Sequence, residues 1–494
     1  MTLTSARTLV AGPTLRRTYR GLVGGPGEPH LVRTELGGSD GGDLTPKGEP
    51  IAVIAHLTDL HVIDAQSPAR FEFVNRYWRD PRFRELLTMQ RPHEMLSTHA
   101  IAAMVRTINQ VERAPLTGAA PRIAAMTGDG VDNTQRNELA NMLAVLNGGT
   151  VRPDSGAPGY DGVQRTDWPG DIYWKPDGGE AGDAFQRDLG FPRRPGLLDE
   201  AVHEFHAEGL RMPWLRCWGN HEQHCQGVGV VTPAMAKAMA GSRKPLEMPS
   251  GIDPDTAVET FVMSPERFMM GPYREVAADA DRRPTGRGDL FEDSYYVHDE
   301  GMVRFIVLDT VCDAGGADGT IDRAQLHWLE RRLEEVHSSF RSRDGAKVPT
   351  RKRDRYVVLL SHHGYDTLSN PRCEQNADDL LELLWRFDNV LVWLNGHTHG
   401  NRITPRRGPR RGHGFWEVTT GSIIDWPCQS RLVELYATAG GMLAVGCTMV
   451  DHDGEGLAGL HRELAANVGL GGFDSVRAGT PADRNAILLR PAPF

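Results

Sequence analysis

The stretch IAVIAHLTDLH, residues 51–61, begins with a short, mostly apolar run at residues 51–57. Asp59 and His61 follow that run almost directly. Residues 51–57 have the length and apolar content of a buried strand, so the pattern predicts that both polar side chains lie just past a strand end. In α/β proteins, functional side chains gather at the carboxyl ends of the strands. The stretch therefore predicts that Asp59 and His61 lie at a strand end, where active sites of α/β sheets are found.

The same arrangement of an apolar run and a polar cluster occurs four more times. Predicted strands at residues 122–126, 213–218, 356–360 and 390–394 lead into Gly128-Asp129-Gly130-Val131-Asp132-Asn133, Gly219-Asn220-His221-Glu222, Ser361-His362-His363 and Gly396-His397-Thr398-His399. A further strand is predicted at residues 303–308. Apolar residues at helical spacing predict helices at 93–112, around 139–146, at 197–207 and after a predicted N-cap at Asp322.

The order of these clusters resembles the calcineurin-like metallophosphoesterase superfamily, whose pattern runs D-x-H, G-D-x-x-D, G-N-H-[DE], a single His and G-H-x-H. Every element is filled between Asp59 and His399. The resemblance implies a four-layer α/β/β/α sandwich of two mixed sheets between helices, with a further strand at residues 421–424. Two long insertions, about 147–195 and 225–294, are expected to form a cap on a domain of residues 51–450. Residues 1–50 are then an N-terminal extension and 451–494 a C-terminal tail.

The resemblance also implies two transition-metal ions, with manganese, iron and zinc left open because His, Asp and Asn ligands suit all three. One ion is held by Asp59, His61, Asp129 and His399, and the other by Asp129, Asn220, His362 and His397. Asp129 is the bridge between the two ions. A metal-held hydroxide then attacks phosphorus, His221 protonates the leaving group as general acid, and Asp132 orients His221.

Residues beside the motifs have more than one interpretation. His363 follows the predicted ligand His362 and points the other way, so it either touches substrate or packs. Glu222 is interpreted as a structural acceptor behind His221, and the acidic residues of the loop at 309–318 as loop formers. The side chains that could reach a substrate are Asn133, Arg136, His363, Arg402 and Trp426.

Composition narrows the classes of partner. The 494 residues are 39% apolar and 24% charged, which is ordinary for a soluble globular protein. A net charge of -10 argues against a generic nucleic-acid or anionic-membrane binder. The basic clusters at 351–353 and 406–411 are interpreted as solvated loops. No apolar run approaches the length of a membrane span.

Cysteine usage and the N-terminus bear on location. Six cysteines without a C-x-x-C pair predict neither a zinc ribbon nor a dense disulfide framework. Arg16 and Arg17 are not followed by the apolar stretch of an export signal. We therefore expect a cytoplasmic protein.

The resulting hypothesis is a binuclear-metal hydrolase of a small-molecule phosphate ester, with the choice of monoester or diester left open. One alternative is a nuclease of the same superfamily, which would need a basic groove. Another is a catalytically silent metal-binding scaffold, which would be expected to lack some ligands or the general acid. The sequence does not predict an oligomeric state.

Overall fold

The computed structural model describes residues 3–39, 41–86, 89–179, 182–286, 293–410, 412–468, 472–473 and 475–494. Residues 287–292 of the second predicted insertion and residue 411 of the second basic cluster lie outside the described residues.

The strands are β1 (Arg7–Arg16), β2 (Tyr19–Pro26), β3 (Leu31–Arg33), β4 (Ala52–Leu57), β5 (Ile123–Met126), β6 (Gly149–Val151), β7 (Phe205–Ala207), β8 (Trp214–Arg216), β9 (Arg243–Pro245), β10 (Tyr273–Glu275), β11 (Tyr296–Glu300), β12 (Val303–Val307), β13 (Ser339–Arg341), β14 (Lys347–Pro349), β15 (Tyr356–Leu360), β16 (Val390–Asn395), β17 (Arg402–Arg407), β18 (Gly414–Thr419), β19 (Gln429–Ala437), β20 (Met442–Asp451) and β21 (Ala486–Pro491). The helices are α1 (Ser97–Asn109), α2 (Arg136–Asn147), α3 (Leu197–Ala201), α4 (His224–Gly227), α5 (Pro233–Met239), α6 (Ala257–Met263), α7 (Pro265–Met269), α8 (Arg323–Glu334), α9 (Ala377–Leu384) and α10 (Gly456–Asn467).

Two large mixed sheets dominate the fold. One has seven strands in the order β3-β21-β20-β19-β4-β5-β8, with β4, β5 and β8 parallel to one another. The other has six strands in the order β11-β12-β15-β16-β18-β17, with β12, β15, β16 and β18 parallel. The predicted α/β class with mixed sheets is confirmed, whereas the four-layer order and the cap stay predictions.

Apolar side chains divide regularly between the two faces of these sheets. Ile54 on β4 and Val358 on β15 belong to one buried cluster that draws on both sheets. Their neighbours Val53 and Val357 belong to two other clusters, which also contain residues of α1 and α2 or of α8 and α9. Alternation of this kind buries both faces of a strand, and each buried side chain contributes about 1.5–3 kcal/mol of hydrophobic free energy.

Two local expectations are corrected by the structure. The helix predicted at 197–207 ends at Ala201, and β7 follows it because Phe205–Ala207 pairs with Gly149–Val151. Residues 421–424 form no strand, and the strand in this region is β18, which ends at Thr419. Residues 1–50 contribute β3 and residues 451–494 contribute β21 to the seven-stranded sheet.

Two of the cysteines form a disulfide. Cys312 and Cys373 join the loop after β12 to the loop after β15, and their Cα atoms lie 6.1 Å apart. Cys217, Cys225 and Cys428 are free and buried, as is Cys447. Because disulfides are rare in cytosolic proteins, this bond weighs against the cytoplasmic location expected from the sequence. Among the described residues, no helix combines the length and the apolar character that a bilayer crossing requires.

The predicted N-cap at Asp322 is confirmed. The Gln325 N–H donates to its Oδ1 at 2.7 Å, at the start of α8. We expect Asp322→Ala to lower the free energy of unfolding by about 1 kcal/mol, because a free backbone N–H is left without its acceptor. Urea unfolding followed by circular dichroism measures this change. Asp322→Ser is the control that keeps an acceptor, and an alanine variant as stable as the serine variant would contradict the assignment.

Candidate metal centre

The predicted ligands meet where five parallel strands end. From the seven-stranded sheet, β4 leads to Asp59 and His61, β5 to Asp129, and β8 to Asn220. From the six-stranded sheet, β15 leads to His362 and β16 to His397 and His399. The site therefore lies between the carboxyl edges of the two sheets, and each sheet supplies part of it.

The ligand loops have an uncommon backbone conformation. The angle φ is positive at Asp59 (52°), His61 (49°), Asp129 (52°), His397 (70°) and His399 (55°). A residue with a Cβ adopts such values only where surrounding contacts impose them, and these cluster at functional sites. The Asp59 N–H donates to Gly128 O at 3.1 Å and the His61 N–H donates to Asp129 O at 3.0 Å, so the two loops hold each other.

Two motif glycines are required by the closeness of these loops. A Cβ at Gly219 would overlap the carboxylate of Asp129, and a Cβ at Gly396 would overlap Thr58 and the carboxylate of Asp59. The glycines that precede Asn220 and His397 therefore allow the backbone to approach a neighbouring carboxylate.

The first group consists of Asp59, His61, Asp129 and His399, all buried, with ligand atoms within 4.8 Å of one another. The Nε2 of His399 lies 3.3 Å from Asp59 Oδ1 and 3.1 Å from the Nε2 of His61. The Nε2 of His61 lies 3.8 Å from Asp129 Oδ2. Two unprotonated ring nitrogens that face each other repel unless a proton or a cation lies between them, so this donor set fits a cation.

The second group shares Asp129 with the first. The Nε2 of His362 lies 3.2 Å from Asp129 Oδ2 and 3.1 Å from Asn220 Oδ1. The Nδ1 of His397 lies 3.1 Å from the same Asn220 oxygen. Asp129 Oδ2 is thus approached by an imidazole from each group, which is the arrangement that a carboxylate shared between two ions requires.

Acceptors behind the imidazole rings fix the orientation of three of them. The Nδ1 of His399 meets Asp425 Oδ2 at 2.6 Å, and the Nδ1 of His362 meets Thr127 O at 2.7 Å. The Nδ1 of His61 meets Asp132 Oδ1 at 3.3 Å. An Nδ1–H that donates to such an acceptor leaves the Nε2 lone pair available, which is how ligating histidines are commonly held.

The charges of the site also suit a cation. Burial acts to raise the pKa of Asp129, but His362 and His221 outweigh it and hold that pKa well below its usual range. Burial acts to lower the pKa of His362, yet Asp129 and Asp59 raise it to about 9. Ligation needs an unprotonated imidazole. The negative charge beside His362 can therefore be neutralised either by a proton on His362 or by a bound metal ion.

His221, the predicted general acid, lies at the edge of the first group. Its backbone N–H donates to Asp129 Oδ1 at 2.9 Å. Its Nδ1 lies 3.0 Å from Asp132 O and 3.4 Å from Asp132 Oδ1. Since Nδ1 faces these acceptors, Nε2 is on the opposite edge of a ring whose side chain is 16% exposed. Asp132 Oδ1 thus faces both His221 and the predicted ligand His61.

The residues named as possible substrate contacts are mostly engaged elsewhere. Asn133 is buried and its Oδ1 accepts from the Gln226 N–H at 3.4 Å, whereas its Nδ2 has no hydrogen-bond partner among the described residues. Arg402 pairs with Asp366 at 2.9 Å, and Trp426 packs on Phe473 with ring centroids 5.0 Å apart. Arg136 is exposed at the start of α2.

His363 packs in the structure, which decides between its two interpretations. It is buried beside His362 and His397 in a further group of possible ligands. Its Nδ1, however, meets Thr310 Oγ1 at 2.9 Å and its Nε2 meets Ala317 O at 2.9 Å. Both ring nitrogens therefore already have partners.

Two acidic residues have contacts beyond those expected. Glu222 is a structural acceptor, but its donors are the backbone N–H groups of Gly130 at 3.0 Å and Gly219 at 2.6 Å, so it holds the motif loops together. Asp318, interpreted as a loop former, brings its Oδ1 to 3.8 Å from His397 Nε2.

Sequence reasoning missed the charged residues that lie behind the ligands. Asp425, which orients His399, is held by Arg91 at 2.8 Å and by Arg477 at 2.7 Å. Arg70, fully buried, donates to Asp132 at 2.7 Å. None of these four stands in a motif, and an ordinary Arg or Asp in a loop carries no local signal of such a role.

We expect Asp425→Ala to weaken metal binding about 10- to 100-fold, because His399 loses the acceptor that orients it. Titration of metal-stripped protein with Mn²⁺ by isothermal calorimetry measures the affinity. Glu434→Ala is the matched control, since Glu434 is also a buried carboxylate but contacts Leu116 and Thr117. Equal affinities in the two variants would contradict the role of Asp425.

Comparison with models of known protein families gives no match, and comparison with curated proteins gives none either. Among solved structures, a dimetal phosphatase from Danio rerio is 12% identical over 82% of this chain and 100% of its own, with a TM-score of 0.36. A Staphylococcus aureus protein described as a 5'-nucleotidase, in complex with alpha-ketoglutarate, is 11% identical over 82% of this chain and 55% of its own, with a TM-score of 0.31. GAP50, the anchor in the inner membrane complex of Plasmodium, is 9% identical over 84% of this chain and 94% of its own, with a TM-score of 0.29.

Proposed function

We propose that the protein is a metal-dependent hydrolase of a phosphate ester, of the calcineurin-like metallophosphoesterase type. The observation that carries the proposal is the convergence of His61 and His362 on one oxygen of Asp129, at 3.8 and 3.2 Å. A buried carboxylate between two sets of imidazoles suits a pair of ions.

In this proposal Asp59, His61, Asp129 and His399 hold one ion, and Asp129, Asn220, His362 and His397 hold the other. Manganese, iron and zinc all suit such donors. When bound, a metal pair lowers the pKa of water and draws electron density from a phosphoryl group. Asn220 is neutral, so the site keeps a net positive charge that attracts the phosphate anion.

The chain's own residues supply the proton for the leaving group. His221 donates from Nε2 to the leaving alkoxide oxygen, on the ring edge opposite Asp132. Asp132 accepts from Nδ1 and thereby fixes which nitrogen carries the proton to be transferred. A positioned general acid of this kind contributes about 10²- to 10⁴-fold to the rate.

The finer features of the hypothesis belong to the same proposal. The four layers would be α1 and α2, the seven-stranded sheet, the six-stranded sheet, and α8 and α9, with the insertions as a cap. A small-molecule phosphate ester is the proposed substrate. The net charge of -10 favours such a ligand over nucleic acid.

We expect metal-stripped protein that is reloaded with manganese, iron or zinc to hydrolyse p-nitrophenyl phosphate or bis(p-nitrophenyl) phosphate. Asp129→Asn should abolish turnover, because both ions lose a shared charged ligand. Absorbance of p-nitrophenolate measures the rate, and the preferred ester distinguishes a monoesterase from a diesterase.

Glu434→Gln is the matched control, since it also neutralises a buried carboxylate but one that contacts Thr117 outside the site. Protein that binds two ions per chain but cleaves neither ester under any loading would favour the catalytically silent scaffold. Hydrolysis that persists unchanged in Asp129→Asn would place the activity elsewhere.

A further inference from the structure

Arg70 contacts the carboxylate that orients the proposed general acid. Its Nη1 donates to Asp132 Oδ2 at 2.7 Å. The other oxygen of Asp132 faces the Nδ1 atoms of His61 at 3.3 Å and His221 at 3.4 Å. The guanidinium therefore contacts one oxygen of this buried carboxylate, and the two imidazoles contact the other.

Arg70 is itself held in a fixed orientation. Its Nε donates to Glu72 Oε2 at 2.8 Å, and its Nη2 donates to Glu94 Oε2 at 2.9 Å. The second oxygen of Glu72 pairs with Lys244 of β9 at 2.6 Å. A planar guanidinium whose three nitrogens all have carboxylate partners has no freedom to rotate. The side chains of Arg70, Glu72 and Glu94 are buried.

We propose that Arg70 is a positioning residue for proton donation, which fixes Asp132 in the orientation where one oxygen reaches His221. The inference rests on the proposed function, because it assumes that His221 protonates the leaving group. Without Arg70, Asp132 Oδ2 loses its charged donor, and the carboxylate is free to rotate about its Cβ–Cγ bond. His221 then loses the fixed acceptor that sets the direction of its Nε2.

A solely structural role for Arg70 has a different signature. Removing one member of a buried ion network destabilises a protein strongly, whatever the member does in catalysis. Such a loss lowers the amount of folded enzyme and affects all substrates alike. Loss of a positioning residue instead lowers kcat most for the substrates that need a proton donor. The anion of an acidic phenol departs without protonation, whereas an alcohol must be protonated as it departs.

The test compares the p-nitrophenyl and benzyl esters of whichever phosphate class the wild-type enzyme cleaves. Because Asp132 also faces the proposed ligand His61, kcat is measured at saturating metal. We expect Arg70→Met to lower kcat for the benzyl ester by about tenfold or more, as loss of a supporting partner does at such sites, and to leave kcat for the p-nitrophenyl ester nearly unchanged. His221→Ala should show the same selectivity with a larger magnitude. Concentrations are set by folded protein, measured by circular dichroism and gel filtration.

Glu94→Gln is the matched control. It removes another buried carboxylate partner of Arg70 but leaves the Arg70–Asp132 contact in place. Burial raises the pKa of Glu94 to about 7, so a neutral glutamine is a close replacement. We expect the ratio of the two kcat values to stay at the wild-type level in this variant. Arg70→Lys, which keeps the charge but cannot reach three carboxylates, replaces Arg70→Met if the latter does not fold.

A second readout does not depend on turnover. In protein labelled with nitrogen-15 at histidine, the ring shifts of His221 report which nitrogen carries the proton, and His221→Ala assigns its signals. In the neutral state that remains after Nε2 has given up its proton, we expect the Nδ1–H tautomer in the wild type and in Glu94→Gln, and a mixture of the two tautomers when Arg70 is replaced.

The outcomes separate the two proposals. A wild-type enzyme that cleaves both esters, with Arg70 variants that lose both activities equally and keep the His221 tautomer, overturns the positioning role but keeps the proposed function. A wild-type protein that cleaves neither ester overturns both. Loss of the fold in both Arg70 variants would show that Arg70 serves stability and would also overturn the inference.

Discussion

The contact between Asp129 and His362 is the interaction on which the site depends, because it joins the two large sheets. Asp129 follows β5 of the seven-stranded sheet and His362 follows β15 of the six-stranded sheet, with 3.2 Å between their polar atoms. Neither sheet alone carries a complete donor set. The apolar core that both sheets share fixes the separation of the strand ends, so packing far from the site determines the distances within it.

Burial of the polar groups of the site costs desolvation free energy, and contacts with the surrounding residues offset this cost. An isolated buried charge is strongly unfavourable, and it persists only with hydrogen-bonded or charged partners. Asp425 lies among His399, Arg91 and Arg477, and Asp132 lies among Arg70, His61 and His221. Positive φ at five of the seven proposed ligands adds backbone strain in the same loops. The arginines behind the proposed ligands therefore help to hold the site in its buried position.

What could be predicted from sequence was the local pattern of strand and polar cluster. The strands before Asp59, Asp129 and His362 are found within one residue of their predicted bounds, because a short buried strand has a clear apolar signature. The fold class was expected from the family resemblance that these clusters carry. By contrast, the helix predicted at 197–207 ends early because pairing with β6, a contact distant in sequence, overrides local periodicity. Arg70 and Asp425 were missed for the same reason, since their roles come from partners 62 and 26 residues away.

The central claim is that two ions share Asp129, and anomalous scattering from crystals of manganese-loaded protein tests it most directly. The account predicts two anomalous peaks on either side of the Asp129 carboxylate. One peak should lie among Asp59, His61 and His399, and the other among Asn220, His362 and His397. A single peak with no contact to Asp129, or no peak among these residues at saturating manganese, would contradict it.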